Sequence, residues 1–336
     1  MNAYQLTALT GANALKLTQL ADPKPAPGQV LVRVQATSLN YRDLMVASGR
    51  YVPGVPVPLI PLSDGAGEIA AVGAGVTRWK VGDRVAGTFF QNWQTGPIRK
   101  ETFETALGGS LNGMLAEYVA LSADGVIAVP PHLSSAEAAT LPCAALTAWH
   151  ALVTDGKISA GQTVLVLGTG GVSIFALQFA KMHGARVIIT SGSDEKLARA
   201  QALGADETIN YRATPDWEKE VFRLTEKAGA DHVVEVGGTD TFPRSLRAVA
   251  MGGTISVIGG VSGFTSEVPL RDILGKSALI RGIFVGSRDM FAAMNRAISQ
   301  HRLKPAIDRV FPFAEAPAAY RYQESGAHFG KVVIAV

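Results

Sequence analysis

The chain is almost without cysteine: Cys143 is the only one in 336 residues, so no internal disulfide can form. Charge is sparse too. Charged residues make up 18% of the sequence against 47% apolar residues, a balance that fits a packed globular chain and excludes a disordered one. The small basic excess is dispersed, with no cluster of Lys and Arg, so an ordinary surface is expected and nucleic acid is not expected as a partner. No uncharged apolar stretch reaches the roughly 18 residues that a membrane span requires, so no membrane partner is expected either. The opening MNAYQLTALTG lacks the basic-then-apolar pattern of an export leader. With the lone thiol, it implies a reducing, cytoplasmic location.

Glycine is plentiful, with 36 residues, and implies many tight turns. Such a length suggests two cores, and the periodicity agrees. From Gln29 to about Pro130, short runs such as QVLVRVQATSL, GEIAAVGAGV, DRVAG, AEYVAL and VIAVP are cut by glycine and proline, which predicts an antiparallel, partly closed β domain. At SSAE, a capping-box pattern, the period becomes helical. TVLVLG, ARVIIT, ETIN, DHVVEV and TISVIG are then compact apolar strands, each followed by a helical stretch, with MHGA and ALGAD supplying glycines where two helices stop. Right-handed βαβ units and a parallel sheet follow. The expected division is 1–128, completed by 270–336, and 129–269.

TVLVLG runs into GTGGVSIFALQFAK, placing Gly168-x-Gly170-x-x-Ser173 between a strand and a helix. Glycines there let the backbone approach a dinucleotide pyrophosphate, and free N–H groups at the helix start meet its charge; a plain tight turn is the bland alternative. Gly168, Gly170, Gly171 and Val172 are the predicted contacts. Ser173 stands where the third glycine belongs, and its hydroxymethyl is expected to loosen helix–strand packing slightly. ARVIIT ends in Thr190-Ser191-Gly192-Ser193, with no carboxylate for ribose hydroxyls, which leaves room for the 2′-phosphate of NADPH. Ser191, Gly192, Ser193 and Lys196 are its predicted partners, although Lys196 also fits a plain solvated lysine, and Asp194 is expected to start the helix.

Taken together, SLNYRDLMVASGRY, IPLSDGAGEIAAVGAGV, VGDRV, ATLPCAALTAWHAL, GTGGVSIFALQFAK and INYR resemble the medium-chain dehydrogenase/reductases, specifically their zinc-free quinone oxidoreductase and alcohol dehydrogenase-like branch. The likeness spans almost the whole chain. It implies an α/β protein made of a GroES-like β-barrel catalytic domain and a Rossmann doubly wound parallel-sheet domain, with the C-terminal tail rejoining the barrel. Zinc-dependent members carry cysteine at the position of Asn40, Gly-His-Glu at Leu62-Ser63-Asp64, and their third ligand at Cys143. A catalytic zinc needs about three protein ligands, and one thiol does not supply them, so no metal is expected. Cys143 is expected to serve as small-residue packing rather than as a nucleophile. Nor does GTFFQNWQTGPIRKETFETALGGSLNG contain the four cysteines of a structural zinc lobe; its Phe89, Phe90 and Trp93 fit either a substrate cleft or buried packing.

The same resemblance implies hydride transfer from NADPH to a quinone or an α,β-unsaturated carbonyl. NADP-dependent alcohol or aldehyde dehydrogenation and a non-catalytic cofactor-binding protein remain the alternatives. By position, Asn40, Tyr41 and Asp43 are the catalytic candidates: Tyr41 as donor to the carbonyl oxygen or proton source, Asn40 as donor or ring-positioning group. The Asn-x-x-Asp pattern also fits a role in shaping the loop alone, and water also fits as proton donor. Thr147, Tyr211, Gly237, Gly238, Ile258, Gly259, Gly260, Phe284, Val285, Gly286, Gly330 and Lys331 carry over as further cofactor contacts. ALIRGIFVG is expected at a sheet edge, where unpaired backbone invites a second copy and a homodimer.

Overall fold

Turn residues break the first 130 positions into strands β1 (Asn2–Leu6), β2 (Leu15–Gln19), β3 (Gln29–Leu39), β4 (Asp64–Val72), β5 (Arg84–Gly87), β6 (Tyr118–Ser122) and β7 (Val126–Ala128). The computed structural model describes residues 1–51 and 54–336. Along β3 the side chains alternate: Val30, Val32 and Val34 are buried, while Arg33 stays outside and meets Glu68 of β4 at 2.8 Å. Ser134 then caps a short helix through the box with Glu137, as SSAE predicts.

Beyond it run β8 (Thr163–Leu167), β9 (Arg186–Ser191), β10 (Glu207–Asn210), β11 (Ala230–Glu235), β12 (Val249–Val257) and β13 (Leu279–Gly282). They form one parallel sheet in the order β10-β9-β8-β11-β12-β13, so the order reverses between β8 and β11. In open α/β sheets ligands bind beyond the carboxyl ends of the strands at such a switch point. Val164, Leu165, Val166, Val233 and Val234 are nearly inaccessible, as strands covered on both faces require. β13 is an edge strand of this sheet.

The tail adds β14 (Ile307–Pro312) and β15 (Lys331–Ala335). β15 lies antiparallel to β3, with Val333 opposite Ser38, in a sheet ordered β14-β15-β3-β4-β5-β7 to which β6 adds by pairing with β3. Among the described residues the β14–β15 pair alone in this sheet is parallel, because the helix Ala316–Glu324 crosses between them. The chain thus divides into Met1–Leu146 with Gly286–Val336, and Thr147–Val285. Both boundaries fall later than the expected 128/129 and 269/270, for identifiable reasons. Ser135 Oγ donates to Gln35 of β3 and the Cys143 N–H to Asp64 of β4, which ties 135–143 to the barrel; β13 pairs with β12, which keeps 279–282 in the parallel sheet.

Candidate active site

The parallel-sheet unit carries the glycine turn where the sequence places it. Gly168 has φ +71°, a left-handed conformation that a side chain resists, and a Cβ added at Gly168 or Gly170 would meet nothing within 4 Å. Open space over both glycines, at the start of the helix Gly171–Met182, fits a pyrophosphate held by first-turn N–H groups. Ser173 corrects one expectation. Its hydroxyl donates to Leu167 O at 2.7 Å, so the residue that replaces the third glycine ties helix to strand instead of loosening them.

At the end of β9 the geometry adds a group the sequence reading missed. A Cβ on Gly192 would come within 2.8 Å of Arg212 Nε and 2.9 Å of Tyr211 Oη, so a guanidinium and a phenol converge over the Ser191-Gly192-Ser193 turn. Arg212 directly follows Tyr211 in INYR, which is the signal that was there to be used. Ser193 caps the next helix by accepting from Lys196 N at 3.4 Å, and Asp194 accepts from Asn210 Nδ2 at 2.6 Å, consistent with a helix-starting role. A second missed residue, Glu235, ends β11. Its Oε1 accepts from Gly237 N, Gly238 N and Thr241 Oγ1 at 2.7, 3.0 and 2.6 Å, which folds the Gly237-Gly238 turn beside Ile258, Gly259 and Gly260. Thr147 is buried, Phe284 half-exposed, and Val285 takes φ +37°, an outlier for a β-branched residue. His150 holds that strained peptide. Its Nδ1 lies 2.9 Å from Val285 O, and since a carbonyl only accepts, the ring carries its proton on Nδ1.

The barrel unit gathers a buried polar cluster from four distant stretches. Asn40 precedes the helix Tyr41–Ala47, and Asp43 reaches back to accept from Asn40 N at 2.8 Å. Asp43 also accepts from Arg42 Nη1 at 2.9 Å; the same Nη1 donates to Leu107 O and Gly108 O, and the guanidinium lies against the Tyr51 and Phe89 rings. Burial pushes the Asp43 carboxyl up, and the Arg42 charge opposes that rise. Asp43 is 1% exposed. In this position Asp43 is an ion-paired group that holds the loop. Tyr41, by contrast, is 40% exposed.

Behind Asn40 sits Lys331. Expected around the nicotinamide, it is 2% exposed and turned inward, its Nζ donating to Leu39 O at 2.6 Å and Asn40 Oδ1 at 2.5 Å, with Asp64 Oδ2 at 4.0 Å. Asp64 Oδ1 accepts from Ser63 Oγ at 2.7 Å and Oδ2 from Cys143 N at 3.1 Å. Burial raises the Asp64 carboxyl and lowers the Lys331 ammonium, and each charge partly holds the other ionised. Leu62, at the start of the Leu62-Ser63-Asp64 run, has φ +69° and packs on Gly108 and Gly113, where a Cβ would strike its backbone. Gly330 likewise has φ +72° and leaves no room for a Cβ against Ala306 O; Gly286 is crowded by Leu146. Phe89, Phe90 and Trp93 are buried and stacked edge-on or tilted, so packing accounts for them.

Cys143 is half-buried, and desolvation together with the Asp64 charge pushes its thiol well up from the usual range. Alkylation needs the thiolate. At pH 8 the native thiol is therefore expected to react with iodoacetamide at least about tenfold more slowly than in the urea-unfolded chain, with a rate still climbing at alkaline pH. A plateau near the pKa of a free thiol would contradict this.

These features meet known proteins at full length. Residues 26–131 match the alcohol dehydrogenase GroES-like domain and residues 171–300 the zinc-binding dehydrogenase model. A zinc-type alcohol dehydrogenase-like protein of Schizosaccharomyces pombe is 45% identical over 98% of this chain and 97% of its own. The crystal structure of a putative alcohol dehydrogenase from Sinorhizobium meliloti 1021 superposes with TM-score 0.93 at 43% identity, covering 100% and 98% of the two chains. One of an NAD-dependent alcohol dehydrogenase gives 0.91 at 37%, covering 100% of each. The chain belongs to the medium-chain dehydrogenase/reductase superfamily and is an oxidoreductase with a nicotinamide-binding fold. No helix among the described residues is long and apolar enough to cross a membrane.

Whether the zinc implied by such names suits this chain is a question of donor chemistry. Zinc takes thiolate, imidazole and carboxylate, about three of them from the protein. The corresponding positions here offer an amide (Asn40), a hydroxyl (Ser63), a carboxylate already bonded twice (Asp64) and a thiol whose ionisation is opposed, with an ammonium between them. The donor set does not fit a zinc ion.

Proposed function

We propose that the protein is a zinc-independent reductase that uses NADPH to deliver hydride to a quinone or an α,β-unsaturated carbonyl. The observation that carries this reading is the polar cluster of Asn40, Asp64, Cys143 and Lys331, which is tied up internally around an ammonium where a Lewis acid would need ligands. Simple alcohol oxidation builds localised alkoxide charge that a metal would hold down. A quinone or enone spreads the incipient negative charge over a conjugated system, and hydrogen-bond donors suffice. NADPH, when bound, supplies the hydride. The open glycine turn takes the pyrophosphate, and Arg212, Tyr211, Lys196 and the Ser191–Ser193 turn take the 2′-phosphate.

Tyr41 is the exposed donor of the 40–43 loop, and Asn40 and Asp43 position it. Replacing Tyr41 by Phe removes one neutral hydrogen bond of about 1–1.5 kcal/mol, so kcat with a quinone is expected to fall about tenfold while KM for NADPH holds. Unchanged kcat would assign the proton to water. Relatives called alcohol dehydrogenases favour a second reading, alcohol or aldehyde oxidoreduction. Turnover of simple aldehydes but not of quinones or enones, at equal NADPH, would select it.

A homodimer through β13 belongs to this reading. The edge strand lies in a segment where Val261, Phe264, Leu270, Leu274 and Phe284 are each at least half exposed, and the helix Leu270–Lys276 buries none of its residues. A second copy pairing edge to edge would cover strand and apolar side chains together. Leu270→Glu with Leu274→Glu is expected to weaken the dimer at least about tenfold in sedimentation equilibrium, through desolvation of two carboxylates. An unaltered equilibrium would place the interface elsewhere.

A further inference from the structure

An ammonium with this little access to water is unusual: Lys331 is 2% exposed in the barrel unit, and its neighbours are drawn from the end of β3, the start of β4 and the segment around Cys143. Its Nζ has three protons to give, and two go to Leu39 O and Asn40 Oδ1. Because an ammonium only donates, it turns the oxygen of the Asn40 amide towards itself. Nδ2 is thereby turned away from the ammonium, to the side of the Asp64 carboxylate, although Asn40 is 7% exposed. An amide oxygen, a carboxylate and a thiol thus gather around one buried ammonium, a polar cluster suited to a cation. Here the chain supplies the cation itself.

We propose that the Lys331 ammonium is the resident cation of this pocket: it fills the space between Asn40, Asp64 and Cys143 that a divalent ion would need, and so closes the barrel unit to such ions. Among the described residues Asp64 is the only carboxylate in ion-pair reach of Nζ, and the second local carboxylate, Asp43, is matched by Arg42. A divalent ion entering beside the ammonium would find one anion already shared and a like charge a few ångströms away. The metal-free state is then built into the chain by a side chain that β15 delivers, and Lys331 acts as a positioning residue that holds Asn40 and Asp64 in place. The inference rests on side-chain geometry and not on the identity of the acceptor.

The test uses cobalt(II) alone as the probe, because a cobalt–thiolate bond has its own charge-transfer absorption. Full-length wild-type protein, Lys331→Met and Lys331→Arg are each dialysed against cobalt(II) and read for bound metal and for that band. Lys331→Met keeps length and removes charge and donors; it is expected to bind cobalt at least about tenfold more tightly than wild type, with a band that Cys143→Ser abolishes. Lys331→Arg, which keeps the charge, is expected to exclude the ion as wild type does. Thermal unfolding and NADPH binding report whether each variant is folded. The proposal is overturned if folded Lys331→Met takes up no more cobalt than wild type, or if wild type or Lys331→Arg binds an equivalent on Cys143; the last two outcomes decide even where Lys331→Met does not fold. Loss of the first result with metal-free quinone turnover intact would remove this proposal alone, whereas metal-dependent turnover would remove the reductase reading.

Discussion

Arg212→Glu is expected to lower kcat/KM for NADPH by about two orders of magnitude while leaving NADH unaffected or improved. Two effects add. A guanidinium hydrogen-bonded to a phosphate contributes about 1.5–3 kcal/mol, and it is lost. A carboxylate set about 4 Å from the same phosphate adds repulsion of about 4 kcal/mol per unit charge at an effective dielectric of 20, reduced by screening because the site is exposed. A net change of about 3 kcal/mol is roughly a hundredfold. The Arg212 guanidinium and the Tyr211 hydroxyl lie over Gly192, at the end of β9. Steady-state kinetics with both nucleotides checks it. Equal losses for NADPH and NADH would mean that Arg212 supports the fold rather than reads the phosphate, and the argument for NADPH would go with it.

Asp43→Ala is expected to destabilise the protein by about 3–5 kcal/mol, a fall in Tm on the order of 10 °C. The substitution leaves the Arg42 guanidinium in the interior with two carbonyls and no counter-charge, and it also removes the acceptor for Asn40 N. Breaking one half of a buried pair is costly, whereas replacing both halves by apolar residues is often close to neutral. Arg42→Met with Asp43→Leu should therefore recover most of the loss. Calorimetry on the three proteins distinguishes structure from catalysis: an Asp43→Ala protein with native Tm and abolished turnover would restore Asp43 to the reacting groups.

How much of this was legible in the sequence depends on the range of the interaction. β8, β9 and β11 were readable because each holds a short apolar run closed by glycine or polar residues, and Gly168-x-Gly170 announced its own turn. The antiparallel strands were readable for the same reason. Lys331 was not. Its burial depends on Leu39 O and Asn40 Oδ1, the latter 291 positions away, and nothing local distinguishes an inward lysine from a nucleotide-facing one. Arg42 was missed similarly, since the carbonyls that satisfy it come from Leu107 and Gly108. Ser173 shows a subtler limit: substitution of a fingerprint glycine predicted looser packing, and a single hydrogen bond to Leu167 O reverses that conclusion. Arg212 is local, the residue after Tyr211, and only the fold shows that its guanidinium reaches Gly192.

Acceptor turnover by protein stripped of metal tests the central claim most directly. Purified enzyme is treated with a strong chelator, its metal content measured, and NADPH oxidation followed with a panel of quinones, enones and simple aldehydes. The account predicts full activity towards conjugated acceptors without metal, with aldehydes at least about a hundredfold slower. Activity that disappears with a stoichiometric zinc ion and returns when the ion is restored, or turnover confined to simple aldehydes, would contradict it.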